Sequence, residues 1–344
     1  MTHPLHTPVV ATDGALVRFA LADLLAGTPG SMRIEISDAA AAEPWLTRLV
    51  GEEHAVEAIT VGQIEIPGRP ELATLALLLW ARRWWPASPV LGVPPLDPAL
   101  LDLEAAVATA AVESIAEGML DGFEATPAEL FDAAADGVAA TAVADEVRDL
   151  CLRLSAWFDD RDDVVRAETT AALAAAVEPG QRAYALAAGT DSGPAEDGVV
   201  ADGRASVDWA RVPPGVLDAA EDTVTWRIVA APAATRLEVE VAGAFADATL
   251  TASATHDGEV LAEVPLLLGP GWFAGAADLD DAAARRATSV PIGLIVGVTA
   301  EDVTGTTPAD RAEVVSLVRA RGALPPAGRT LAERAAAAAG DEEF

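Results

Sequence analysis

The stretch ATLALLLWARRWWPASP, residues 73–89, sets two arginines among three tryptophans directly after a run of leucines. Its apolar run, Leu72 to Ala81, is ten residues long. A spanning helix needs about 20, so this is no membrane anchor. Pro70 suits a first helical turn and Pro86 cannot continue a helix. Between them Leu72, Leu75, Leu77, Leu78, Leu79 and Trp80 leave no polar face, the mark of a buried central helix. Arg82 and Arg83 fall in the last turn, where cations complement the helix dipole. The reading is a core helix over 71–85 whose aromatic end reaches a domain boundary. Trp84 and Trp85 at that end are the candidates for binding a partner.

Working outward, residues 8–67 predict a small α/β unit. PVVA (8–11) reads as a short strand, and DGALVRFALADLLAG (13–27) carries a helical apolar period. MRIEIS (32–37) alternates like a half-buried strand, EPWLTRLVG (43–51) is a short helix, and AITVGQIEIPG (58–68) is a second alternating strand. Residues 70–178 predict a helical bundle, with further helices near 99–118, 127–140, 143–158 and 164–177. Asp97-Pro98 is a cap followed by a proline at the first helical position, and Thr126-Pro127-Ala128-Glu129 is a capping box.

Residues 179–204, rich in Gly, Ser, Pro and Asp, read as a linker. After it come six strand candidates, at 223–230, 235–242, 248–255, 259–268, 272–279 and 289–298. Asp257-Gly258 has the composition of a two-residue hairpin turn. This spacing predicts a β-sandwich over 205–322, with Trp226 in its core and a helix near 308–320. A tail, 323–344, is expected to be partly disordered after a short helix. The fold class is therefore α+β and multidomain: an α/β unit (8–67) and helical bundle (70–178), then a C-terminal β-sandwich with a helical tail. A chain of 344 residues exceeds one typical domain.

The formal charge is −32, from 54 acids against 22 basic residues, every one an arginine. Lysine and asparagine are both absent. Both use A-rich codons, so a GC-rich bacterial coding sequence is the leading explanation; a salt-loving source and selection against amine-targeted modification are the others. The segment Asp97–Glu178 holds 19 acids and 4 arginines, a balance of −15. Such charge excludes nucleic acid and anionic membrane as partners, which need clustered cations, and attracts basic surfaces over long range. One cysteine, Cys151, excludes an intrachain disulfide and a Cys-based zinc site. No basic-then-apolar leader is visible, so the expected compartment is the cytoplasm.

Candidates for chemistry are few. GTDSGP (189–194) resembles the turn that carries a serine-protease nucleophile, but a threonine splits it and no histidine stands in a catalytic context. WFDDRDDVVRAE (157–168) packs Asp159, Asp160, Asp162 and Asp163 around Arg161. Clustered carboxylates can hold Mg²⁺ or Ca²⁺, while the plainer reading makes Asp162 or Asp163 the cap of the next helix. His3, His6, His54 (in a loop) and His256 (at a hairpin tip) form no set. Cys151 sits among leucines as a buried thiol. With no lysine there is no Walker A motif and no Schiff base, and no G-x-G-x-x-G occurs.

The resulting expectation is a non-enzymatic, cytoplasmic, acidic interaction protein that binds another protein, with no cofactor and no catalytic residue assigned. Two alternatives stand beside it. One is a divalent-cation-dependent hydrolase or transferase using Asp159, Asp160, Asp162 and Asp163. The other is an acidic mimic that blocks a basic nucleic-acid-binding surface.

Overall fold

The computed structural model describes residues 4–123, 125–135, 137–138, 140–179, 198–230, 234–243, 248–257, 259–289, 292–299 and 304–340. The fold is α+β and divides into two compact units. The first takes residues 1–83, 96–183 and 316–344, and the second takes 84–95 and 184–315.

The first unit opens with an antiparallel meander, β1 (Val9–Thr12), β2 (Ala15–Phe19), β3 (Ser31–Ile36) and β4 (Gln63–Pro67), paired in that order. The helix expected over 13–27 is instead strand β2 followed by the short α1 (Leu21–Leu25). Ala15, Val17 and Phe19 alternate into the core. Asp13-Gly14 makes the two-residue turn, with Thr12 opposite Ala15. Gly14 is required there: its φ is +72°, and a Cβ would stand 2.3 Å from the Asp38 carbonyl oxygen. A D-G pair is the strongest short hairpin signal, and it overrides the helical period.

Helix α2 (Ala39–Val50) starts four residues before the expected position, because Asp38 caps it by accepting from Ala40 N and Ala41 N at 3.0 and 3.3 Å. Helix α3 (Glu52–Val61) replaces the first four residues of the strand expected over 58–68 and carries His54, which is therefore helical and not in a loop. It stops at Gly62, whose φ of +83° closes the left-handed cap.

Helix α4 (Pro70–Trp84) matches the reading of the opening stretch: Leu72, Leu75, Leu77, Leu78 and Trp80 are all buried, and Trp80 Nε1 donates to Leu5 O at 2.9 Å. Helices α5 (Pro98–Ile115), α7 (Ala144–Asp159) and α8 (Val164–Ala176) follow close to their expected ranges, while α6 (Pro127–Ala135) ends short of the expected 140, where Ala140 pairs as a strand. Two-residue strands β5 (Ala140–Thr141) and β6 (Glu178–Pro179) pair in parallel. Both predicted caps form. Asp97 accepts from Ala99 N at 2.9 Å, and the Thr126–Glu129 box closes in both directions. Phe131 and Phe158 meet edge to face, centroids 5.8 Å apart, joining α6 to α7.

The second unit is one seven-stranded antiparallel sheet. Its strands are β7 (Val199–Ala205), β8 (Val224–Ala230), β9 (Thr235–Ala242), β10 (Leu250–His256), β11 (Glu259–Gly269), β12 (Trp272–Leu279) and β13 (Gly293–Val296), in spatial order β13-β10-β11-β12-β9-β8-β7. Strand β9 lies beside β12, while β10, β11 and β12 follow one another, a Greek-key arrangement. The two layers of the expected sandwich are wings of this single curled sheet. The eleven-residue β11 serves both, pairing with β10 through Leu266 and with β12 from Leu267 on. Val224, Ile228, Val239 and Phe273 of one wing share a core with Leu250, Ala252 and Val264 of the other. Trp226 packs against that core, and helix α9 (Asp281–Ser289) adds Ala283 and Ala287. His256 stands opposite Glu259 in the β10–β11 pairing; Gly258 of the expected Asp257-Gly258 turn lies outside the described residues.

Residues 180–197 of the expected linker, including the GTDSGP segment, lie outside the described residues. Its end, Val199–Ala205, is the edge strand β7 and not linker, paired to β8 through Gly203 opposite Trp226. The division into units passes through helix α10 (Pro308–Arg321). Helix α11 (Leu331–Gly340) is the short helix expected in the tail, its start buried at Leu331 and Ala332; residues 341–344, where disorder is expected, lie outside the described residues. Among the described residues no helix is long and apolar enough to cross a membrane.

Candidate functional site

Of the two tryptophans proposed for partner binding, Trp84 is half-buried at the end of α4. Trp85, also half-buried, starts a loop that carries no charged residue from Trp84 to Leu96. Trp85 Nε1 donates to Pro94 O at 2.9 Å, tying one end of the loop to the other. Ser88 and Val93 exchange both backbone bonds, at 2.8 and 2.9 Å. The buried Ser88 also accepts from Leu91 N at 3.1 Å through its hydroxyl, and Gly92 turns the chain with φ +67°. Below this turn, Ala219 N donates to Ala87 O at 3.0 Å. Val90, at the tip, is 80% exposed between exposed Pro89 and half-buried Leu91. An apolar tip on a hydrogen-bonded base is the outcome.

The acidic turn resolves into separate roles. Asp163 caps α8, accepting from Arg166 N at 3.2 Å, and pairs with the Arg166 guanidinium at 2.8 Å. The same guanidinium binds both oxygens of Asp132 on α6, at 2.8 and 3.1 Å. These bonds with Arg166 hold the Asp163 carboxyl below its ordinary range. Arg161 stacks 3.8 Å over the Trp157 ring, a cation–π contact. Asp162 takes a left-handed φ of +61° to make the turn, and Asp159 and Asp160 are exposed beside it. Among the described residues no group of three or more His, Cys, Asp or Glu stands together as a metal site. His54 is exposed on α3, His256 Nε2 lies 3.3 Å from Asp257 Oδ2, and His3 is outside the described residues. Cys151 is buried, and burial pushes its thiol up to about 11, away from nucleophilic use.

What sequence reasoning missed is a buried charge cluster in the first unit. Arg321 of α10 makes a two-pronged ion pair with Glu333 of α11, both bonds 2.8 Å, with side chains 2% and 7% exposed. Its remaining donors reach Leu24 O at the end of α1 (3.0 Å) and Gly328 O (3.1 Å). Glu333 also closes a capping box with Thr330: Thr330 N donates to Glu333 Oε2 at 2.8 Å, and Glu333 N donates to Thr330 Oγ1 at 3.2 Å. The first two amides of α11 go elsewhere. Leu331 N donates to Glu104 Oε1 at 2.7 Å and Ala332 N to Glu104 Oε2 at 3.1 Å, from α5. Burial pushes the Glu104 carboxyl up to about 7, against the pull of those two amides. Arg334 is paired with Glu146 of α7. The T-x-x-E pattern in RTLAER was the available signal; nothing in the sequence marks Arg321 as buried or Glu104 as half-buried.

The second unit has its own polar knot. Arg311, 6% exposed, binds both oxygens of Glu221 (2.8 and 2.9 Å) and the carbonyl and hydroxyl of Thr306. Asp208 accepts from Thr306 N and Oγ1 (3.0 and 2.9 Å) and from Ala210 N (3.1 Å). Burial raises the Asp208 carboxyl, but the Thr306 and Ala210 bonds and Arg211 outweigh it and hold it low. These groups pin loops by satisfying buried donors. Compared with known proteins, the chain matches no family model, no curated protein and no solved structure.

Proposed function

We propose that the chain acts in the cytoplasm by binding another protein, and that the loop Trp85–Pro94 is what seats in the partner. The observation that carries this is the loop itself: Val90 is 80% exposed at the tip of a turn locked by Ser88, Val93 and Gly92, in an uncharged stretch of a chain of charge −32. A preorganised apolar tip loses little conformational freedom on docking, so its buried area counts toward affinity. The complementary surface is an apolar pocket with a basic rim, because the chain's negative field draws cations and repels nucleic acid and anionic lipid. The engagement of Asp163, Asp208, Glu104 and Glu333 with amides and guanidinium groups, and the raised thiol of Cys151, favour binding over catalysis. The single buried cysteine suits a reducing compartment.

The test is affinity capture from native cell extract with the intact chain and with Val90→Asp, at about 50 and about 500 mM salt, across which the Debye length falls several-fold. The expected result is a retained protein that is weakened at least about tenfold by Val90→Asp and is released by salt, with the variant's melting curve unchanged because the site is exposed. Equal retention by Val90→Asp refutes the assignment of the loop. No retained protein at low salt refutes the binding reading as a whole.

A further inference from the structure

We propose that the outer face of the β11–β12 hairpin is a second docking surface, one that takes the apolar side of a cationic segment of the partner; this rests on the binding reading above and extends it to a surface that reading does not use. The hairpin lies in a run without a charged residue, Val264–Ala277. Side chains alternate along its two strands. Val264, Leu266 and Phe273 enter the core, which turns Leu267, Trp272 and Ala274 to the other face. Leu267 stands opposite Ala274, and Trp272 stands between Gly269 and Ala242. Leu267 is 74% exposed, and Leu268, near the turn, is 48% exposed. Apolar groups gathered in this way mark an interaction site, whereas apolar residues scattered singly do not.

The surface is built to hold its shape. Gly269, Pro270, Gly271 and Trp272 form the turn, with proline second and Gly271 third at φ +80°, the composition of a type II turn. The Trp272 indole packs over Gly269, where a Cβ would stand 2.9 Å from the ring. A turn and a ring fixed in advance lose little freedom on docking. The turn also adjoins the base of the Trp85–Pro94 loop through a short train of contacts. Gly243 N donates to Gly271 O at 3.0 Å. Gly243 packs on Asp218 so closely that a Cβ would stand 2.3 Å from the Asp218 Cβ. The next residue, Ala219, donates its N–H to Ala87 O at 3.0 Å. A partner with an interface of ordinary size, about 800 Å² a side, therefore reaches both features.

The charge around the hairpin selects the occupant. On the same face β9, β11 and β12 carry Glu238, Glu240, Glu263 and Asp278 against one arginine, Arg236, which is paired with Asp278 at 2.9 Å. A second copy of the chain would set these carboxylates against their own kind, on top of a charge of −32 on each molecule. A segment with leucine-like side chains on one side and arginine or lysine beside them meets both the apolar centre and the acidic border.

The test is photo-crosslinking of the full chain at about 150 mM salt. The probe is a synthetic amphipathic helix of about 18 leucine and arginine residues with one diazirine-bearing leucine. Mass spectrometry then locates the label. The expected result is label on the peptide holding Leu267–Trp272, reduced at least about tenfold by Leu267→Gln. Val165→Gln, at a site 75% exposed on α8, should leave it unchanged, as should the melting curves of both variants. Equal labelling by a probe with glutamate in place of arginine, label spread over the acidic surface, or no response to Leu267→Gln overturns the proposal. Label on the loop without the hairpin also overturns it and leaves the loop standing. Label on the hairpin without the loop supports this surface and refutes the loop. Label on neither overturns both. Light scattering covers the remaining occupant: a dimer that Leu267→Gln dissociates makes this face a contact between copies of the chain and overturns the cationic partner.

Discussion

Replacing Arg321 by Met is the sharpest test of what holds the first unit together. The guanidinium is 2% exposed and makes five bonds: two to Glu333 and one each to Leu24 O, Leu25 O and Gly328 O. Methionine fills the volume of the stem but leaves Glu333, 7% exposed, as a buried charge facing apolar sulfur. Breaking a buried pair from one side costs about 3–5 kcal/mol. Replacing both partners is a different matter, because the paired desolvation cost disappears with the charges. Arg321→Met with Glu333→Met should therefore lose only about 1–2 kcal/mol, chiefly the Thr330 cap and the abandoned carbonyls. The assay must separate the two units, since one unfolding midpoint is ill-defined for a chain of this kind. Native-state hydrogen exchange does so peptide by peptide. Peptides of α1 and α11 should report the loss, while those of β8 and β9 keep their protection. A loss below about 1 kcal/mol in the single variant, or a double variant no more stable than the single, refutes the view of this pair as a buried, structurally committed charge.

Two further outcomes are expected. Leu78→Ala should cost about 2–5 kcal/mol in the first unit by the same exchange measurement, since Leu78 is 1% exposed in α4 and leaves a cavity; a cost below about 0.5 kcal/mol removes α4 from the core. Cys151 should resist a water-soluble thiol reagent at pH 8 until the first unit unfolds, because it is buried and its thiol is pushed up to about 11; labelling at the rate of a free thiol in the folded chain contradicts that placement.

Legibility from sequence followed the range of the interaction. The helices of the bundle and most strands of the curled sheet were readable because their signals are local: Asp97-Pro98, the Thr126–Glu129 box, the all-round apolar α4, the alternation of β8, β9 and β12. Residues 13–27 misled because two local signals conflict there. Leu16, Phe19, Leu21 and Leu24 fit a helical period, while Asp13-Gly14 dictates a turn, and a Gly with φ +72° under the Asp38 carbonyl decides for the hairpin. Likewise the alternation of 58–68 hid the end of α3, which Gly62 places and Glu52 and Glu53 begin.

The buried cluster shows what lies beyond such reading. Glu104 and Leu331 are separated by 227 positions, and Arg321 reaches Leu24 across 297. No periodicity or spacing carries that information, and arginine and glutamate are, by default, surface residues. Burying both charges costs several kcal/mol each unless every donor and acceptor is met. Here they are met from three segments at once: the end of α1, the turn before α11, and α11 itself. That makes the cluster a check on register. A one-turn slip of α11 would move Leu331 and Ala332 off Glu104, and Glu333 off Arg321, together, leaving two amides and two charges unsatisfied. The apolar residues around it, Leu331 and Ala332 among them, would tolerate such a slip far better. Position is thus fixed by polar groups and adhesion by apolar ones, and only the apolar share announces itself in the sequence.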